Sequence, residues 1–135
     1  MNITSLDDLI VAARAQPEPQ RLLFVFTKVE LPDDCTPAQR ASFEAGSGGA
    51  LTPLACLDKP PEEIGSFAEL LEESRQHIPD WAIVFVAAIS GRNGQAPATE
   101  DAEAPLNKMV DMIKTGLIGS LIPFDARGET VLIGP

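Results

Sequence analysis

The distribution of apolar and polar positions divides the chain into short blocks of two periods. Ser5 followed three residues later by Asp8 predicts an N-cap, after which Leu6, Leu9, Ile10 and Ala13 share one helical face. Gln16-Pro17-Glu18-Pro19 stops that helix. Leu22 to Phe26 (LLFVF) is an apolar run without alternation, the pattern of a strand covered on both faces. Thr36-Pro37-Ala38-Gln39 fits a capping box with proline at the first helical position, and Gly46 ends the short helix it opens. Leu51 to Leu57 predicts a strand in which Pro53 marks the start or an edge. Ser66-Phe67-Ala68-Glu69 is a further capping box, opening a helix to about His77 with Phe67, Leu70 and Leu71 as its buried stripe.

Trp81 to Ile89 (WAIVFVAAI) is the longest apolar run and predicts the centre of the sheet. A polar loop, Ser90 to Pro97, follows. Leu106, Met109, Val110, Ile113 and Leu117 then recur at helical spacing and predict a helix over Glu103–Thr115. Ile118 to Phe124 and Thr130 to Ile133 predict two strands joined by a turn at Asp125-Ala126-Arg127-Gly128. Strands alternating with helices imply one α/β layered domain over residues 1–135. The expected sheet is mixed and five-stranded, mostly parallel, with a C-terminal antiparallel hairpin and helices on both faces. Leu22–Phe26 and Trp81–Ile89 are expected as central neighbours.

Charge narrows the functional classes. Ten Lys and Arg against twenty Asp and Glu leave −10, and no two basic residues are adjacent. Such a surface repels phosphate backbones, so no nucleic-acid partner is expected. The opening MNITSLDDL lacks the cationic and apolar regions of a signal peptide. The nine-residue run from Trp81 falls short of the roughly 20 residues of a membrane span. Cys35 and Cys56 make no disulfide framework, and the expected compartment is the cytoplasm.

The stretches TPAQRASFEAGSGGALTPLACLDK, WAIVFVAAISGR and EAPLNKMVDMIKTG resemble a family of short bacterial proteins that often carry the label ribonucleotide reductase subunit alpha. The reductase that the label implies is a barrel of several hundred residues using a radical cysteine, a redox cysteine pair and relay tyrosines. This chain has two cysteines and no tyrosine, so reductase activity is not expected of it. The resemblance supplies no catalytic residue.

Among candidate sites, the loop Ser90-Gly91-Arg92-Asn93-Gly94 stands first, because ligands of open sheets bind beyond the carboxyl ends of strands. Its glycines admit backbone amides to a ligand, and Arg92 suits a carboxylate or phosphate. The alternative is a flexible connection to a helix whose acidic start, Glu100, Asp101 and Glu103, repels anions. Gly46-Ser47-Gly48-Gly49 precedes a strand and lacks a following Lys-Ser or Lys-Thr pair, so it is no P-loop. Cys35 beside Asp33-Asp34 and Cys56 in an apolar strand are unsuited to thiolate chemistry. His77 has no companions at zinc-ligand spacing, and no elbow motif ties a serine to it.

The pairs Asp7-Asp8, Asp33-Asp34, Glu62-Glu63 and Glu72-Glu73 point in different directions on a helix. Residues 62–80 hold six acids and one arginine, a solvated face or a docking face for a basic partner. No catalytic, cofactor-binding or metal-ligating residue is assigned. The expectation is a non-catalytic binding or accessory module with a protein partner. The rival is a small ligand-binding protein or enzyme using the Ser90–Pro97 loop. The strand around Ile118 to Phe124, apolar on both pleat faces, raises the expectation of a homodimer.

Overall fold

A computed structural model describes residues 5–30, 37–38, 50–115 and 121–131. The elements in chain order are α1 (Leu6–Arg14), β1 (Gln20–Glu30), β2 (Ala50–Lys59), α2 (Phe67–His77), β3 (Ile83–Ser90), α3 (Glu103–Thr115) and β4 (Ile122–Phe124). Single 3-10 turns at Pro61–Glu63 and Thr99–Ala102 lead into α2 and α3. Both serine caps form: Ser5 Oγ accepts from the Asp8 amide at 3.2 Å and Ser66 Oγ from the Glu69 amide at 3.3 Å. Each satisfies one of the orphan donors of a first helical turn. The helix expected after Thr36, the Gly46–Gly49 segment and Cys35 lie outside the described residues, apart from helical Pro37 and Ala38.

The sheet has four strands in the order β2-β1-β3-β4, and every neighbouring pair is antiparallel. This overturns the expected five-stranded, mostly parallel sheet. Because β2 and β3 are both antiparallel to β1, they run in the same direction, as strands joined by a crossover helix do. The slot between them is filled by β1, so the parallel strands never bond to each other. Leu22–Phe26 pairs with Val84–Ala88 in the middle of the sheet.

The non-alternating runs are explained by cover on both faces. Leu22, Phe24, Phe26, Val84 and Val86 face Leu6, Ile10 and Ala13 of α1 and Phe67 and Leu70 of α2. Leu23, Val25 and Phe85 point to the opposite face, against Met109 and Ile113 of α3. Burying each such side chain stabilises by about 1.5–3 kcal/mol. Trp81 precedes β3, buried edge-on against Phe26 at 5.3 Å, with its indole N–H donated to Ser74 Oγ at 2.8 Å.

β2 is an outer strand, and its pairing with β1 slips between Phe26 and Thr27, leaving Leu54 as an extra residue beside Pro53. A proline and a bulge are both tolerated on an edge. At the other side, the chain turns at Asp125–Gly128, and Thr130 bridges back to Phe124. Of the strands expected over Ile118–Phe124 and Thr130–Ile133, the parts at 118–120 and 132–133 lie outside the described residues. The apolar surface behind the homodimer expectation is covered within the chain where it is described. Leu121 packs in the α3 cluster, while Phe124 and Ile122 pack in the α1–α2 cluster. Leu117 and Ile118 lie outside the described residues.

Candidate functional site

At its carboxyl end β3 runs into a closed turn, where the sequence pattern predicts a polar loop. Arg92 and Gln95 exchange both backbone hydrogen bonds, at 3.1 and 2.9 Å, around Asn93 and Gly94. Asn93 and Gly94 have φ of 55° and 78°, the paired positive values of a type I′ turn. The Asn-Gly dipeptide is the strongest sequence signal for this geometry, and it closes a tight turn where a flexible connection is expected. Gly91 is required for closure: a Cβ there would stand 1.9 Å from the Gln95 carbonyl oxygen.

The start of β1 clamps the turn. The Gly91 amide donates to the Pro19 carbonyl at 2.7 Å, the Gly94 amide to Glu18 Oε2 at 3.1 Å, and Gln20 Nε2 to Ser90 Oγ at 2.8 Å. Across from it, Pro97 and the 3-10 turn form a second wall. There Asp101 Oδ2 accepts from the Ala98 amide at 2.9 Å. This wall is tied to the sheet through Asp58 of β2, whose Oδ2 accepts from Arg21 Nε and Thr99 Oγ1, both at 2.6 Å. Arg21 also donates to the Pro97 carbonyl at 3.5 Å. Burial pushes the Asp58 carboxyl up, but the hydrogen bonds from Thr99 and Arg21 and the Arg21 charge together hold it below its ordinary value.

Between the walls lies a cleft of about 520 Å³, lined by Ile89, Ser90, Gly91, Arg92, Gln95, Ala96, Pro97 and Asp101. Of the expected site residues, Ser90, Gly91 and Arg92 line it, whereas Asn93 and Gly94 form the turn that shapes it. Arg21, Asp58 and Thr99 were not singled out in the sequence, since they meet through contacts 37 to 76 residues apart, whereas Asp101 stands there only as part of an acidic helix start that repels anions. The Arg92 side chain is exposed and has no hydrogen-bond or ion-pair partner among the described residues. Other arginines are engaged: Arg14 with the Pro61 and Ile64 carbonyls, Arg75 with the Pro79 and Trp81 carbonyls, and Arg127 with Asp125.

The remaining candidates are not brought together with this cleft. His77 ends α2, before β3 begins, and Ser90 ends β3, so the length of the strand separates them. Cys56 sits on β2 opposite Val25, and burial pushes its thiol up. Asp7 Oδ1 accepts from the Phe67 amide at 2.9 Å, joining α1 to the start of α2, and Glu73 pairs with Lys59 at 2.7 Å. Glu62, Glu63, Glu69, Glu72 and Asp80 remain exposed around α2. Among the described residues, no helix is long and apolar enough to cross a membrane. In comparisons with known proteins, no family model, curated protein or solved structure matches this chain.

Proposed function

We propose that the protein is a small acidic binding module without a catalytic step, and that it binds at the cleft between the Ser90–Pro97 turn and the start of α3. The observation that carries this reading is Arg92, a guanidinium unpaired among the described residues, in the lining of a cleft whose two walls are both fastened to the sheet. Walls held in place before binding lose little conformational freedom on association, so the main ordering cost falls on the exposed Arg92 side chain. Ser90 supports binding rather than acyl transfer: its Oγ is held by Gln20, and His77 stands at the other end of β3.

The test is a thermal-shift screen with nucleotides, phosphates, small acids and short peptides, followed by amide chemical-shift mapping of each hit. A ligand should raise the melting temperature of the wild type by mass action and perturb the amides of Ser90–Asp101. The same ligand should leave Arg92→Ala unshifted. Hits whose perturbed amides lie elsewhere, or that stabilise Arg92→Ala equally, would sink the assignment.

A further inference from the structure

Two opposite charges line the cleft without meeting. Arg92 and Asp101 both contribute to its walls yet make no ion pair with each other. Among the described residues Asp101 accepts a single amide, on Oδ2, which leaves Oδ1 for a ligand. Arg92 has five N–H donors and no side-chain partner among the described residues. Ile89, Ala96 and Pro97 contribute aliphatic surface to the same lining.

These features discriminate among ligand classes. A simple anion gains at Arg92 but meets the Asp101 carboxylate and its exposed neighbour Glu100, on a molecule of net charge −10. A simple cation gains at Asp101 and is repelled by Arg92. A molecule carrying both charges gains at both walls. We infer that the cleft takes a zwitterion, a free amino acid or a short peptide, with its carboxylate on Arg92, its ammonium on Asp101 and an aliphatic side chain over Ile89 and Pro97. The volume, about 520 Å³, falls within the range of small-molecule sites. This assignment rests on the cleft being the binding site and adds the class of ligand.

The experiment follows the cleft amides by NMR during titration with leucine, the dipeptide Leu-Leu, N-acetyl-leucine, leucinamide and inorganic phosphate. Leucine or Leu-Leu should shift the amides of Ser90–Asp101 saturably, and the tighter of the two tells a free amino acid from a peptide. Removing either ligand charge should weaken binding by about tenfold or more, the worth of a charge-assisted hydrogen bond. Arg92→Ala and Asp101→Asn should each do the same, the asparagine still accepting from the Ala98 amide. Lys114→Ala, an equal loss of positive charge at the far end of α3, should leave affinity unchanged. If N-acetyl-leucine or phosphate binds these amides as tightly as leucine, the zwitterion is wrong while the cleft stands. If no probe moves them, the zwitterion assignment falls; if the broader screen also finds no cleft ligand, the site falls with it.

Discussion

Gly94 and Gly128 share a φ of +78°, yet their surroundings separate them. A Cβ at Gly94 meets nothing within 4 Å, whereas one at Gly128 would lie 2.7 Å from the Phe67 ring. Gly94→Ala should therefore cost only the left-handed backbone penalty, about 1–2 kcal/mol. Gly128→Ala should cost clearly more, because Phe67 must also move within the core. Gly91→Ala is the complementary case, an ordinary φ with a backbone oxygen in the way. It should destabilise the turn and weaken any ligand held by Arg92. Urea unfolding of the three variants checks the order, and equal losses at 94 and 128 would contradict it.

At the scale of elements, Asp58 joins β2 to β1 through Arg21 and to the segment before α3 through Thr99. Its carboxyl is held below the ordinary value in the folded protein, so the folded state binds its proton less readily than the unfolded chain. The stability this supplies is present above the unfolded value, about 3.9. It is lost as pH falls through the lower folded value. Asp58→Asn should be less stable than wild type at neutral pH, and the gap should close on acidification below pH of about 4. Urea midpoints of both proteins across that range measure it; a gap that widens in acid would show the sign to be wrong. The same element logic explains α2. Its start receives Asp7 from α1, and its end carries Arg75, which lies 4.6 Å over the Trp81 ring, so helix and β3 entry are packed as one unit.

Across the whole molecule, the division into two clusters settles where the apolar surface goes. With Leu121 and Phe124 buried on opposite faces of the sheet and Ile122 packed beside the latter, the described end of this strand gives a partner little to cover. Light scattering at micromolar concentration should give a mass near the 14.4 kDa of one chain. Ile122→Asp should lower the unfolding midpoint without changing that mass. A mass of two chains, reduced by Ile122→Asp to one, would restore the homodimer at this strand.

What the sequence determined by itself was whatever depends on neighbours within a few residues. Ser5 and Ser66 cap their helices through amides three positions on, and the spacing of Met109, Val110 and Ile113 marks a helix over Glu103–Thr115. The two apolar runs likewise marked strands needing cover on both sides. The Asn93-Gly94 turn is equally local, since both left-handed residues are written in the dipeptide, but its clamping by Glu18, Pro19 and Gln20 is long-range. The tertiary structure alone decided the strand order. Alternating helices and strands bring β3 back in the direction of β2, yet nothing local tells whether a third strand lies between them. That depends on pairings such as Val25 with Cys56 and with Phe85, formed between residues tens of positions apart. The cleft is of the same kind: Arg92 is legible as a cation suited to a carboxylate or phosphate, but the cleft it shares with Asp101 and the Arg21–Asp58–Thr99 anchor exists because long-range packing places them together.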